Sequence, residues 1–192
     1  MSLSSVMDDA GLVKRLQLQE ESAFKELVEG HQNMIINTCF GFLHNTEEAE
    51  DVAQEVFIQV FKSIDSFRGD AKLSTWLYRI AVNRSLNKIR SRKSRFFVGI
   101  DTLFESGQST GTNHSVTPYD SLENQERANV LHAAIDKLPN NQKTAFVLSK
   151  YKGLPNKKIS EIMSTTLSSV EALLNRAKKN LQKSLVDYYK NS

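Results

Sequence analysis

"STWLYRIAVNRSLNKIRSRK", residues 74–93, carries two patterns at once. Leu77, Ile80 and Ala81, with Leu73 just before them, recur at helical spacing and predict a stripe packed into a core. Trp76, Arg79, Asn83, Asn87 and Arg90 follow one another at i, i+3, i+7, i+11 and i+14 and form a second stripe. An aromatic ring stacks on an unpaired base whatever its identity, at roughly 1–3 kcal/mol per base. Asparagine offers a donor and an acceptor to a base edge, and arginine both neutralises phosphate and forks onto bases. Taken alone, Trp76 reads as a core residue, and arginines can simply solvate a helix end. The face as a whole points to nucleic acid, because residues 71–100 hold 8 basic side chains and no acidic one.

The formal net charge of +3 over 192 residues hides a segregation. Residues 1–70 carry 5 basic and 13 acidic side chains, whereas residues 123–192 carry 12 basic and 6 acidic ones. Residues 101–122 between the positive blocks have three acids and no Lys or Arg. Two positive surfaces for a polyanion are implied, with an acidic opening segment that avoids it. A hydrophobic content of 40% permits a packed core, and only 8 glycines and 3 prolines suit an all-α protein. No apolar run approaches the roughly 20 residues that span a bilayer, so no membrane insertion is expected. No apolar h-region follows the opening residues, so no signal peptide is expected. Cys39 is the single cysteine, which excludes an internal disulfide framework and a cysteine zinc cluster and fits a reducing cytoplasm. With no phosphate loop, metal-ligand cluster or nucleophile–base pair, neither an enzyme nor a cofactor is expected.

The opening "MSLSSVMDDAG" reads as frayed, with Met7 as a natural start. Phe24, Leu27, Val28, His31, Ile35, Thr38 and Phe42 then predict one face of a long helix, with Ser22 as N-cap. His31 and Cys39 read as core residues on or beside that face. Asn45 and Glu48 resemble a capping box for a second helix, whose buried stripe is Ala49, Val52, Ala53, Val56, Val60 and Ile64. The other side of that helix is acid-rich and includes Asp51, Gln54, Glu55 and Ile58. Periodicity leaves a solvated face and a partner-binding face equally open. "SFRGDAKLST" is a loop with Gly69 as its flexible point.

After Arg95 the pattern dissolves, and residues 104–121 read as linker. Leu131, Ala134, Ile135 and Leu138 then form a stripe that should end before Pro139. Asn140 or Asn141 can cap the next helix, which Gly153 stops. A short helix around Asn156–Met163, a turn at Ser164–Thr166 and a long helix with Val170, Leu174, Ala177 and Leu181 make a helix-turn-helix candidate.

Two stretches carry a resemblance to a known family. "EEAEDVAQEVFIQVFKSIDSFRGDAKLSTWLYRIAVNRSLNKIRSRK" resembles the second conserved region of the extracytoplasmic-function sigma factors of bacterial RNA polymerase. "LPNNQKTAFVLSKYKGLPNKKISEIMSTTLSSVEALLNRAKKNL" is similar to their fourth region. The resemblance implies two helical domains, residues 8–95 and 122–188, with a linker at 96–121. It implies core RNA polymerase (β and β′ subunits), promoter DNA as duplex and as non-template single strand, and an anti-sigma factor as partners.

The resemblance also assigns roles to faces. Asp51, Gln54, Glu55 and Ile58 match the surface that docks on the β′ coiled coil. Arg68, Lys72, Trp76, Arg79, Asn83, Arg84, Asn87 and Arg90 fall on the loop and helix that read and open the minus-ten element. A loop pocket there holds an extruded base in the family. Ser168, Ser169, Glu171, Ala172, Asn175, Arg176 and Lys179 fall on the helix that enters the major groove at the minus-thirty-five element. Position 171 is often basic in the family but is Glu here, and Asn175 stands where an aromatic or His is common. The class of contact transfers; the preferred DNA sequence does not. A duplex-binding helix-turn-helix regulator is the alternative, but it leaves Trp76 and the basic helix unused.

Overall fold

The computed structural model describes residues 9–100 and 120–190. Helices α1 (Asp9–Gln17), α2 (Glu21–Leu43), α3 (Thr46–Ser63) and α4 (Leu73–Ile100) form the first unit, with a 3₁₀ turn at Ile64–Ser66. Helices α5 (Asp120–Asp136), α6 (Asn140–Lys150), α7 (Asn156–Met163) and α8 (Leu167–Lys190) form the second. Among the described residues there is no strand, and the all-α expectation holds.

α1 stands where a frayed opening was expected from Asp9 onward; residues 1–8, including Met7, lie outside the described residues. Leu12 and Leu16, one turn apart, are buried, and each is worth about 2 kcal/mol on leaving water. α2 buries Leu27, Ile35, Thr38 and Phe42 along the expected face. Its N-cap residue is Glu20 rather than Ser22, whose hydroxyl accepts a hydrogen bond from Arg15 inside the first turn. Arg15 also pairs with Glu20 and Glu26, at 2.9 and 2.8 Å, which fixes the corner between α1 and α2. Cys39 is fully buried, and half-buried His31 donates from Nδ1 to the Leu27 carbonyl at 3.0 Å.

α3 begins as expected, with the Asn45 side chain accepting from the Glu48 backbone N–H at 2.8 Å. The reciprocal half of the capping box is absent, because the Glu48 carboxylate reaches Arg92 of α4 instead. Ala49, Val52, Ala53, Val56, Val60 and Ile64 are all buried. So are Leu73, Leu77, Ile80 and Ala81 of α4. Helical backbone continues to Ile100, beyond the end of the sequence pattern at Arg95. Most of the expected linker, residues 101–119, lies outside the described residues.

In the second unit Ala134, Ile135 and Leu138 bury against Ala177 and Leu181. Leu131 is exposed instead of completing that stripe. Pro139, not Asn140 or Asn141, occupies the N-cap position of α6, and it caps without a side-chain hydrogen bond. α7 and α8 flank the turn where the sequence placed it, and Ser164 turns the chain at φ 51°.

The two units share an apolar interior. Val147, Leu148, Ile159, Ile162 and Val170 join the cluster formed by α1–α4. The contact is close enough to demand glycine at position 41, where a Cβ would stand 2.7 Å from Val147 Cγ1.

Candidate nucleic-acid interface

The loop between the 3₁₀ turn and α4 turns at Gly69, whose φ of +77° lies in the left-handed region that favours glycine. Phe67 leans on Trp76 with ring centroids 5.0 Å apart and planes at 41°. Ser66, Phe67, Arg68, Asp70, Ala71, Trp76 and Arg79 line a cavity of about 300 Å³, with room for one planar ring. Trp76 is half-buried, so it packs on the core and lines the cavity at the same time. Arg68 and Lys72 are exposed on the loop.

Farther along α4, Asn83, Asn87 and Arg90 are exposed on the stripe that starts at Trp76. Arg84 lies off that stripe. Its Nε donates to Gln59 Oε1 at 2.7 Å and its Nη1 lies 3.5 Å from the Glu55 carboxylate, so it fastens α4 to α3. Arg79 is engaged by the second unit. Its Nε donates to the Ile162 carbonyl at 3.2 Å and its Nη2 to the Glu161 carbonyl at 2.6 Å. A guanidinium there meets carbonyls at the C-terminal end of α7, where the helix dipole favours a cation. Lys158 of α7 donates to Thr75 beside it. Arg79, Val82 and Asn83 thereby share a second cavity of about 290 Å³ with Asn141, Thr144 and Ile162.

Asp51, Gln54, Glu55 and Ile58 are all exposed on one side of α3, and Ile58 retains 55% of its surface. Phe61, one turn on, is 50% exposed, with its ring 4.7 Å from that of Phe24. Exposed apolar residues rimmed by carboxylates suit a protein partner better than a solvated face. Phe61 was missed from the sequence, although its i+3 spacing from Ile58 signals it.

α8 starts with Thr166 Oγ1 accepting from the Ser169 backbone N–H at 3.2 Å. The Ser168 and Ser169 hydroxyls turn back to that same oxygen, at 3.2 and 2.8 Å. Glu171, Asn175, Arg176 and Lys179 are exposed beyond them, and Ala172 is half-buried.

Titratable groups gather where the units meet. His44 of α2 stacks on His132 of α5, with centroids 3.8 Å apart and planes within 9°. Neither nitrogen of the His44 ring has a partner among the described residues. Burial, then the neighbouring His132, pushes the His44 pKa from 6.5 to about 4. Nearby, Lys143 is almost fully buried and pairs with Asp136 at 2.8 Å.

Sequence reasoning took Ser74 or Thr75 as the cap of α4, which instead starts at Leu73, and it did not single out the ring of Phe67, Lys158 or the carbonyls of Glu161 and Ile162. The Phe67–Trp76 pair flanking Gly69 was readable as two aromatics across a turn. Contacts between the units had no local signal.

A helix-turn-helix joined to a helix that sets amides, cations and an aromatic ring beside a ring-sized cavity defines a DNA-binding transcription protein. Residues 27–95 match Sigma-70 region 2, and residues 128–181 match Sigma-70, region 4. The chain is 32% identical to the ECF RNA polymerase sigma factor SigW of Bacillus subtilis (strain 168) over 178 residues, covering 91% of this chain and 95% of that one. It is 33% identical to the RNA polymerase sigma-H factor of Pseudomonas aeruginosa over 181 residues, covering 92% and 93%. Its fold is similar to that of CnrH in complex with the cytosolic domain of CnrY, with a TM-score of 0.63 at 20% identity, covering 94% and 97%. The chain belongs to the extracytoplasmic-function sigma factors, which bind core RNA polymerase and direct it to promoters. Among the described residues no helix is long and apolar enough to cross a membrane.

Proposed function

We propose that α3 docks the protein on polymerase through Asp51, Gln54, Glu55 and Ile58, with Phe61 extending the apolar part. The α4 face and its loop then read and hold the opened minus-ten strand, and α8 reads the minus-thirty-five duplex. Residues 8–95 and 122–188 act as the two DNA-reading domains and 96–121 as the link between them. The protein works in the cytoplasm without a catalytic site of its own, and an anti-sigma factor is its regulatory partner.

The observation that carries the minus-ten assignment is the ring-sized cavity between Phe67, Arg68, Trp76 and Arg79, continued by exposed Asn83 and Asn87. A base swung out of the stack needs an aromatic wall and hydrogen-bonding neighbours, and this corner has both. Arg79 can meet DNA only when α7 gives up its hold on the guanidinium.

Opening a bubble of about a dozen base pairs costs on the order of 15 kcal/mol at roughly 1.4 kcal/mol per step. One or two captured bases return only a few kcal/mol. The free protein therefore does not open duplex, and polymerase supplies the remainder. Asn83→Ala holoenzyme, assayed for transcription on duplex and on pre-opened templates, tests the assignment. The defect should be large on duplex and much smaller on the bubble. Equal defects on both, with folding and core binding intact, refute it.

A further inference from the structure

The loop that walls the ring-sized cavity is exposed to solvent at Arg68, Gly69, Asp70 and Lys72. On its other side lies a larger hollow of about 560 Å³, lined by Asp9, Val13 and Gln17 of α1. Phe67, Arg68 and Ala71 border both spaces, so the loop is a thin partition between them. A partition of this kind takes its shape from whatever fixes its two ends. Both ends are tied to α1. At the first, Gln17 Nε2 donates to the Phe67 carbonyl at 3.2 Å and to the Ile64 carbonyl at 3.4 Å. At the other, the Leu73 backbone N–H donates to Asp9 Oδ2 at 3.3 Å, in the first turn of α4.

We propose that Gln17 and Asp9 are positioning residues for base capture: α1 straps the Phe67–Lys72 loop at both ends and so sets the shape of the pocket that receives the extruded base. The inference rests on the minus-ten reading above. α1 itself is held by buried Leu12 and Leu16 and by the Arg15 pairs with Glu20 and Glu26, so it is a fixed frame for the loop. The two straps use different chemistry. Gln17 needs its amide N–H groups, because both of its partners are carbonyls. Asp9 needs only an acceptor oxygen, because its partner is an N–H. Glutamate at position 17 should therefore fail, while asparagine at position 9 should succeed.

The test uses full-length protein in holoenzyme. The probe is a library of fork DNA with a fixed upstream duplex and a randomised single-stranded non-template minus-ten segment. Wild-type holoenzyme should select strongly at the captured position. Gln17→Leu and Gln17→Glu should flatten selection there by roughly 2- to 10-fold, the range a lost hydrogen bond supports. Preferences at the other positions and binding to the upstream duplex should stay as they were. Asp9→Ala should flatten the same position, and Asp9→Asn should restore it. A uniform loss at all positions, or no change in any variant, overturns the inference while leaving base capture intact. If Gln17→Leu loses helical content, the Asp9→Ala and Asp9→Asn pair decides the same question. A wild-type protein with no sharply selected minus-ten position overturns the base-capture reading itself, and the inference with it.

Discussion

His44 makes the contact between the two units sensitive to acid. It ends α2 with φ 55° and lies flat against His132, so protonating it places a cation in a half-buried stack with no acceptor at either nitrogen among the described residues. Asp136 favours the charged form, but burial, His132, Lys143 and Arg92 oppose it, and the folded-state pKa falls to about 4. The unfolded chain takes up the proton near pH 6.5 and the folded chain only near 4. Protons therefore favour unfolding between those values: His44 has no effect on stability above pH 7, a growing penalty as pH falls from 6.5, and a constant one below about 4. At 1.36 kcal/mol per unit the gap is worth about 3 kcal/mol, which partial exposure of the ring reduces to about 2 kcal/mol. For a chain of this size that lowers the melting temperature by about 4–8 °C. Burial lowers the His132 pKa as well, and Asp136 partly offsets it. Thermal unfolding followed by circular dichroism from pH 8 to pH 4 at constant ionic strength reads the effect. His44→Asn is the comparison, because asparagine tolerates the left-handed backbone and cannot titrate here. Wild type should lose several degrees more than His44→Asn as pH falls. Parallel curves for the two proteins refute the reasoning.

Asp51→Arg combined with Glu55→Arg should abolish assembly with core polymerase while helical content stays constant; native gel or gel-filtration assembly by a folded double variant counts against α3 as the docking face. Gly41→Ala places a methyl 2.7 Å from Val147 Cγ1 and should cost about 1–3 kcal/mol of stability in chemical denaturation, with no loss if the helices do not pack this closely. Lys179→Ala should weaken upstream-element binding by the holoenzyme on every sequence and lower its salt slope by about one unit. Glu171→Ala should instead change which bases are preferred, and an unchanged preference in the same assay removes it from the reading set.

Much of the fold was legible because local rules and the core agree. Ala49, Val52, Ala53, Val56 and Val60 of α3 recur at helical spacing and are all buried, and Asn45 caps where its type and the downstream Glu48 suggested. The helix-turn-helix was equally clear, since the Ser164–Thr166 turn and the Val170–Ala177–Leu181 stripe are strong local signals. Weak signals failed. α1 is only nine residues long, with Leu12 and Leu16 buried and Val13 partly so, and its helix is stabilised by tertiary packing that sequence does not display. Ser22 is a good cap type, but Arg15 of α1 takes its hydroxyl. Of the candidate site, the face from Trp76 to Asn87 followed from spacing. The redirection of Arg84 to Gln59 and of Arg79 to α7 depends on partners 25 and more than 80 residues away.

Cys39 gives the chain a reporter of its own opening. The thiol has no exposed surface, and burial outweighs a hydrogen bond with Ser85 to push its pKa up to about 11. At neutral pH only about one molecule in ten thousand then carries the reactive thiolate, and an alkylating reagent cannot reach it in the closed core. Modification must wait until α2 parts from α3 and α4. Since no second cysteine competes for the label, the alkylation rate of the unmodified protein measures how often that core opens, with polymerase, DNA or acid as the variable.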